Sequence, residues 1–174
     1  MLGFSACETG AVLEATPVLV DSALQRAHKT VDERLPERSQ QATLRSLGDA
    51  ALRDIVDRYI DAWKRSDIDA LVAMLAEDAR ITMPPIPTWY AGREAVAGFL
   101  RGWPLACVKR WRLLPASVSG QLAFGHYTWK QATRRFAPHG VNLHTLHGAQ
   151  ISEITTFLSP EAFPRFGLPD AVQP

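Results

Sequence analysis

The sequence lacks the features that would place the protein in a membrane or an oxidising compartment. No apolar run approaches the roughly 20 residues that a membrane-spanning helix requires. The first ten residues contain Glu8 and no basic segment, which is untypical of a secretory leader. The two cysteines, Cys7 and Cys107, have no metal-ligand spacing. We therefore expect a cytoplasmic protein with no membrane partner, whose two thiols are reduced and buried or half-buried.

Acidic residues are missing from the whole stretch between Ala95 and Ser152. The basic residues of this stretch are Arg101, Lys109, Arg110, Arg112, Lys130, Arg134 and Arg135. One interpretation is a basic sheet surface that binds nucleic acid or an acidic partner. The alternative is a solvated outer face with counter-charges from the first 40 residues, where six acidic residues outnumber four basic ones. We favour the second interpretation.

Three prolines, Pro84, Pro85 and Pro87, follow Met83 within four positions. Proline has no backbone N–H and a fixed φ, so these residues exclude a helix and a central strand. The sequence predicts a stiff extended loop that carries Trp89 and Tyr90 between a strand at 79–83 and a helix at 94–100. In an α+β domain such a loop forms the lip of an internal cavity.

The rest of the chain predicts helices first and strands afterwards. From Leu52 to Trp63 the apolar residues recur at helical spacing, and a shorter helix is predicted at 68–75. Strands joined by hairpin turns are predicted at 111–117, 122–131, 141–147 and 150–157, before a helical turn at 160–166. This order favours the α+β class, in which a curved antiparallel sheet wraps around helices.

Three ordered blocks carry a family resemblance: MPPIPTWYAGREAVAGFL at 83–100, WRLLPASVSGQLAFGHY at 111–127 and ISEITTFLSPEAFPRFGLP at 151–169. Together they resemble the SnoaL-like domain that closes certain extracytoplasmic-function sigma factors. The resemblance implies a nuclear transport factor 2-like cone with a curved antiparallel sheet and three helices, a fold shared with polyketide cyclases and steroid isomerases. It assigns residues 49–172 to this domain, and the polar segment 37–48 becomes a linker.

The first 36 residues are predicted to form two helices. Ser5 and Glu8 make a capping box for the first helix, in which Gly10 costs about 1 kcal/mol relative to alanine. Thr16 caps a second helix that begins at Pro17. A short helix, a tight turn and a longer helix is the layout of a helix-turn-helix, whose second helix enters the major groove of DNA. The segment LGFSACETGAVLEATPVLVDSALQRAHKTV at 2–31 resembles the part of sigma-factor region 4 that meets the minus-35 promoter element.

The resemblance implies that residues 16–29 face promoter DNA. The contacting residues would be Thr16, Pro17, Val18, Asp21, Ser22, Gln25, Arg26 and Lys29. The apolar stripe of the same helix comprises Val20, Leu24, Ala27, Val31 and Leu35. Asp21 and His28 depart from the pattern, since amide or basic residues are expected there and a carboxylate repels phosphate. We expect DNA binding to be weak or lost.

Residues predicted to point into the cone are mostly aromatic or histidine: Tyr59, Trp63, Met83, Trp89, Tyr90, His126 and His144. Enzymes of this fold move protons with carboxylates, or with an aspartate beside tyrosine or histidine. Asp61 and Asp78 are the only carboxylates nearby, and helix periodicity places Asp61 outside. His144 and His147 fall on opposite faces of a strand, so no metal site is predicted. The cone either binds a small apolar molecule or is filled as core.

The sequence therefore predicts a protein that is not an enzyme and has no cofactor. The resemblance implies the C-terminal part of a sigma-70 family factor of the extracytoplasmic-function type, in which the cone modulates sigma activity. In a full-length relative the partners would be the RNA polymerase core and sigma region 2, for which we find no counterpart here. The alternatives are a small-molecule enzyme of the cyclase or ketosteroid isomerase type and a stand-alone ligand-binding module. A homodimer is left open.

Overall fold

The computed structural model describes residues 4–34, 39–107 and 110–174. The chain divides into two units, and the second begins at Ser39. Leu35, residues 36–38 at the start of the predicted linker, and Lys109 lie outside the described residues. Within the described ranges, none of the helices combines the length and apolar character of a membrane-spanning segment.

The first unit is a pair of helices, α1 (Ala6–Val12) and α2 (Pro17–Arg34). Both predicted caps are present. Ser5 Oγ accepts a hydrogen bond from the backbone N–H of Glu8 at 3.2 Å, and Glu8 Oε2 accepts one from the N–H of Ser5 at 2.8 Å. Thr16 Oγ1 accepts a hydrogen bond from the N–H of Leu19 at 3.3 Å. These bonds satisfy N–H groups that have no partner inside a helix.

Gly10 lies where the turn after α1 comes back against the helix. A Cβ atom at this position would be 2.7 Å from the carbonyl oxygen of Ala15. The carbonyl oxygen of Gly10 also accepts a hydrogen bond from the N–H of Ala15 at 2.9 Å. The sequence marks Gly10 only as a residue that weakens the helix, whereas the structure shows that the turn requires a residue without a side chain.

The second unit consists of helices packed against one six-stranded sheet. The helices are α3 (Gln40–Arg65), α4 (Ile68–Ala73), α5 (Arg93–Gly102) and α6 (Pro104–Cys107). The strands are β1 (Leu75–Met83), β2 (Ile86–Ala91), β3 (Trp111–Val118), β4 (Gln121–Lys130), β5 (Arg135–His147) and β6 (Gln150–Phe157). A 3₁₀ helix, Pro160–Phe166, follows the last strand.

The strand order in the sheet is β2-β1-β6-β5-β4-β3. Neighbouring strands are antiparallel except β1 and β6, which pair in parallel with Ile81 opposite Ile154. The chain passes from the β1–β2 hairpin through α5 and α6 to the far edge and returns strand by strand, so β6 meets β1 in the same direction. The sheet is therefore mixed, whereas the sequence predicts a wholly antiparallel one.

Pro84 and Pro85 form the turn between β1 and β2, but the segment from Ile86 that contains Pro87 is a strand rather than the predicted loop. β2 pairs antiparallel with β1, and Trp89 lies opposite Thr82. β2 is an edge strand, and an edge tolerates Pro87 because one side of the strand needs no hydrogen-bond partner. The prediction was wrong because prolines exclude a central strand and not an edge strand. β1 also begins earlier than predicted, at Leu75, a residue that the sequence assigns to the preceding helix.

The two faces of the sheet carry separate apolar clusters. On the inner face, Tyr59 and Trp63 of α3 pack with Phe124 of β4 and with residues of β1, β3, β5 and β6. On the outer face, Tyr127 packs with Phe163 of the 3₁₀ helix. The Tyr127 hydroxyl donates a hydrogen bond to the carbonyl oxygen of Pro169 at 2.9 Å. The candidate functional site described below lies on the inner face, among the side chains of this buried cluster.

α3 begins inside the segment that the sequence predicts as a linker. Residues 40–47 are helical, and Gly48 interrupts the helix with a φ of 74°. β5 extends past the last pair that it makes with β4, which leaves the backbone of Leu146 without a strand partner on that side. The Gln40 amide takes this place: Nε2 donates to Leu146 O at 2.9 Å, and Oε1 accepts from Leu146 N–H at 2.7 Å. Polar composition gave no sign of this contact.

Replacing Gln40 with alanine should lower the free energy of unfolding by about 1–3 kcal/mol, because the N–H and C=O of a buried strand residue lose their partners. Urea denaturation followed by circular dichroism measures the change. Gln41→Ala is the matched control, since the Gln41 amide reaches only the Ser119 carbonyl oxygen, at 3.5 Å. Equal losses for the two variants would show that the Gln40 bonds contribute nothing specific.

Candidate functional site

The residues expected to face DNA lie along α2 and at its cap. Thr16, Pro17, Val18, Asp21, Gln25, Arg26 and Lys29 are exposed, and Ser22 is half-buried. Lys29 Nζ lies 3.8 Å from Glu33 Oε1, an exposed i,i+4 pair that stabilises the helix weakly. The exposed side chains are available to a binding partner.

The apolar stripe of α2 is not covered by neighbouring residues. Leu24 and Val31 are 53% and 54% exposed, and Val20 is half-buried. The periodicity of the stripe correctly indicates a helix, but amphipathic spacing alone does not show that a partner surface is present. A unit of two short helices has too little surface to bury such a stripe by itself.

Cys7 and Cys107 are both exposed, so the expectation of buried or half-buried thiols is wrong. Each lies on a short helix at the surface: α1 buries only Gly10, and α6 buries only Pro104 and Leu105. Within the described ranges, no group of His, Cys, Asp and Glu side chains is arranged to hold a metal ion.

Two arginines of the acid-free stretch lie over aromatic rings. The Arg110 guanidinium carbon is 4.2 Å from the ring centroid of Trp129, and that of Arg112 is 5.9 Å from the centroid of Phe136. Arg101 Nη2 lies 3.4 Å from Asp69 Oδ1. These contacts show how three basic side chains pack on the protein surface, but they do not indicate whether the surface binds a partner. Both interpretations of the basic surface stay predictions.

The cone contains a partly enclosed cavity of about 40 Å³. A water molecule occupies about 10–15 Å³ on this measure, so the space would hold about three waters. Residues of α3, α5, β1 and strands β3 to β6 line the cavity. The wall reaches the surface beside Trp103, which is 43% exposed, and the half-buried His139. The cone is thus neither fully packed nor widely open.

The structure brings four of the predicted pocket residues into the cavity wall: Tyr59, Trp63, Met83 and His126. The other three lie elsewhere. Trp89 is 65% exposed on β2, and Tyr90 stacks on Phe99 with the ring centroids 4.7 Å apart. His144 is buried between Tyr59 and Phe124, with its ring centroid 4.5 and 4.9 Å from theirs. Trp89 and Tyr90 point to opposite faces of β2: Trp89 is exposed, whereas Tyr90 packs on the inner side against Phe99, behind the cavity wall.

Sequence reasoning missed several wall residues, of which Trp111, Asn142 and His139 carry polar atoms. The alternation of side chains along a strand could have identified two of them. Trp111 precedes the buried Leu113 by two residues on β3, and Asn142 precedes His144 by two on β5. His139 lies where the register between β4 and β5 shifts, between Pro138 and Gly140, so side-chain alternation gives no such signal there.

The polar atoms of the cavity wall lack partners among the described residues. Tyr59 Oη, Trp63 Nε1, Trp111 Nε1 and His126 Nε2 are buried without a hydrogen bond, as are both ring nitrogens of the neighbouring His144. Buried polar atoms without partners are rare in native proteins. Their concentration here marks this end of the cone as a candidate binding site.

Three of these rings enclose one space. The centroids of Trp63 and His126 are 4.7 Å apart with the planes at 88°. The Trp111 centroid lies 5.1 Å from that of Trp63 and 5.9 Å from that of His126. Edge-to-face packing of this kind holds each ring in one orientation. The wall is therefore rigid and aromatic.

Burial keeps the titratable groups of this region neutral. Desolvation lowers the pKa of His126 well below its ordinary value, and the neighbouring His144 and His139 add to the effect. Desolvation also lowers the pKa of His144 to about 3. The pKa of the Tyr59 phenol is raised by burial, and the nearby Trp63 and Asn142 side chains oppose this without meeting hydrogen-bond geometry.

No carboxylate lines the cavity within the part of the chain that the structure describes. Asp61 is exposed and pairs with Arg65, with Oδ2 at 3.0 Å from Nη1, and Asp78 is exposed on β1. Neither approaches a tyrosine or histidine of the cavity. The arrangement can donate and accept hydrogen bonds, but it does not form the carboxylate-based couple that the enzyme alternative requires.

A curved sheet folded around a helical layer and an aromatic cavity defines a nuclear transport factor 2-like domain, as the sequence predicts. The chain belongs to the SnoaL-like domain family, whose model matches residues 56–154. An NTF2-like protein of unknown function from Burkholderia xenovorans LB400 has a TM-score of 0.54 at 12% identity, covering 74% of this chain and 88% of that one. A de novo designed protein with a curved β-sheet has a TM-score of 0.53 at 16% identity, covering 69% and 94%. These structures support the fold alone.

Among curated proteins, the chain is similar to the ECF RNA polymerase sigma factor SigG of Mycobacterium tuberculosis, in strains CDC 1551 / Oshkosh and ATCC 25618 / H37Rv. It is 28% identical over 173 residues, which is 99% of this chain and 46% of the relative. The chain therefore spans less than half the length of these curated relatives.

The buried imidazoles predict a loss of stability in acid. In the unfolded chain histidine titrates near pH 6.5, so the unfolded state binds protons that buried His144 refuses until about pH 3. Stability should fall as pH drops through this window, by about 1.4 kcal/mol per pH unit for each such histidine. Urea unfolding at pH 7 and pH 5 measures the loss.

His144→Leu removes one of these groups and should reduce the loss between pH 7 and pH 5 by about 2 kcal/mol. The control is His147→Gln, at an exposed position on the same strand. If His144→Leu and His147→Gln change the pH dependence equally, the buried imidazole is not its source.

Proposed function

We propose that this chain acts as the C-terminal part of an extracytoplasmic-function sigma factor. In this proposal α2 faces promoter DNA, and the SnoaL-like domain regulates sigma activity without catalysis. The observation that carries the proposal is the extent of the similarity to SigG, which runs through 173 residues and so includes both the helix pair and the cone. A SnoaL-like domain from a protein unrelated to sigma factors would be similar to SigG in the cone only, and not in the helix pair.

The geometry of the first unit supports the role of α2. A seven-residue helix, a short turn and an 18-residue helix reproduce the order of a helix-turn-helix. The Gly10 contact holds the turn close, and the N-terminal half of α2 presents exposed polar side chains. Asp21 lies among them and would repel phosphate, so we propose weak DNA binding for this chain.

The cavity supports a regulatory role for the cone. Its wall has no carboxylate among the described residues, and its imidazoles are held neutral by burial. Such a site can bind a molecule but has little means of moving protons. We propose that the domain, residues 49–172 with the helical segment from Gln40, responds to a ligand and acts on the polymerase-binding part of a full-length factor. The working compartment would then be the cytoplasm.

Arg26→Ala combined with Lys29→Ala tests the role of α2. We expect the unaltered chain to bind a fluorescein-labelled 20-base-pair duplex weakly at low salt, and the double variant to lose that binding. The plot of log affinity against log salt has a negative slope, whose magnitude is about 0.9 for each phosphate contact. Loss of two contacts should therefore make the slope less steep by about 2. Fluorescence anisotropy at several salt concentrations measures both quantities.

The matched control is Arg53→Ala combined with Arg58→Ala on α3. These exposed arginines also make i,i+4 pairs, with Asp49 at 3.9 Å and Asp54 at 3.1 Å. Equal loss of binding in the two double variants would mean that net charge and not α2 attracts DNA. Absence of any duplex binding by the unaltered chain would contradict the DNA-facing role.

A further inference from the structure

The unpartnered polar atoms of the cavity indicate what kind of molecule it accepts. We propose that the cavity binds a small, neutral molecule with a carbonyl oxygen on an apolar frame, and that this oxygen accepts hydrogen bonds from the indole N–H groups of Trp63 and Trp111. This inference rests on the proposal that the cone binds rather than catalyses. It does not depend on the role of α2.

The need for an acceptor follows from the two indoles. An indole N–H can only donate, and both Trp63 Nε1 and Trp111 Nε1 are buried without a partner. The other orphaned groups of the wall are adaptable: the Tyr59 hydroxyl can rotate, and His126 can change tautomer to donate or accept at Nε2. The indoles therefore determine the chemistry, since only an acceptor satisfies both.

The ligand is neutral because the wall carries no compensating charge. Among the described residues that line the cavity, none is Asp, Glu, Lys or Arg. The imidazole of His126 is buried and uncharged at neutral pH, so a bound anion would lose its hydration without gaining a counter-ion. Aromatic walls attract cations through their ring faces, but an indole N–H is a donor only and offers a cation no acceptor.

The cavity is large enough for the polar head of the ligand but not for its apolar frame. About 40 Å³ admits a head of about three heavy atoms, on the measure of three waters. The wall continues toward the surface along Phe99, Trp103 and Leu158, which are apolar. A ligand would place its oxygen among the indoles and its hydrocarbon part along these residues.

The five tryptophans allow a direct test by ¹H–¹⁵N correlation spectra, in which each indole N–H gives one signal. Cyclopentanone is the probe, and cyclopentane is its counterpart without the oxygen. We expect cyclopentanone to shift the signals of Trp63 and Trp111 downfield in a saturable manner. Trp129, whose Nε1 donates to Gln131 Oε1 at 2.9 Å, and the exposed Trp89 serve as internal controls.

Two charged probes test neutrality: acetate supplies an anionic acceptor, and tetramethylammonium supplies a cation. We expect neither to move the Trp63 and Trp111 signals. A saturable downfield shift with acetate would overturn the assignment of a neutral ligand. An equal response to cyclopentane and cyclopentanone, or no response to the ketone up to its solubility, would overturn the proposal of a carbonyl site.

Trp111→Phe keeps an aromatic ring and removes one donor. It should weaken cyclopentanone binding about three- to tenfold, as expected for one hydrogen bond. Trp89→Phe, at an exposed position outside the cavity wall, should leave the affinity unchanged. Equal effects would argue against hydrogen bonding, and if Trp111→Phe fails to fold, the titration of the unaltered chain still decides. Failure of the ketone titration together with intact duplex binding would remove this inference and leave the sigma-factor role standing.

Discussion

The packing of Tyr59 and Trp63 against the inner face of the sheet is the constraint on which the second unit depends. These two side chains stand one helical turn apart on α3, and they contact residues of β3, β4 and β5. They bury large apolar surfaces, and burial of this kind dominates the stability of small domains. Both rings also carry a polar atom into the interior. The groups that hold the cone together are therefore the groups that give its cavity a chemical character.

The stability of the core and the polar character of the cavity place opposite demands on these side chains. A core made only of hydrocarbon side chains would be simpler to stabilise, because no polar atom would need a partner. Among the described residues, the buried donors and acceptors without a partner belong to the cavity wall and the neighbouring His144, apart from Arg93 Nε. Cores that retain unsatisfied polar groups commonly do so for binding or chemistry. The described wall residues include no carboxylate, and binding is the use that we propose for these groups.

The sequence predicted the class of fold because its signals are local and periodic. The helical spacing from Leu52 to Trp63 and the capping box at Ser5 both appear in the structure. Features that depend on distant partners were missed. Pro87 belongs to an edge strand only because of the sheet order, and Gln40 is ordered by the backbone of Leu146. No pattern within a segment reports such pairings.

The candidate site shows the same limit. Trp63, on the predicted amphipathic helix, and His126 were both expected to point inward, and they line the cavity. Trp89 and Tyr90 were predicted from the proline segment; Trp89 is exposed on the edge strand, and Tyr90 packs behind the cavity wall on Phe99. The eight positions assigned to DNA, Thr16 at the cap and seven on α2, rest on a resemblance, and the exposure of all but the half-buried Ser22 agrees with that role without testing it.

The parallel pairing of β1 with β6 has a consequence for synthesis on the ribosome. Ile81 of β1 pairs with Ile154 of β6, which is synthesised much later. The strand β1 therefore lacks its second neighbour, and the sheet cannot close, until almost the whole chain has emerged. The helix pair, in contrast, is built from contacts among neighbouring residues and is complete much earlier. A nascent chain therefore presents α2 to its surroundings before the cone exists. The sheet of the cone is completed only after translation has passed β6.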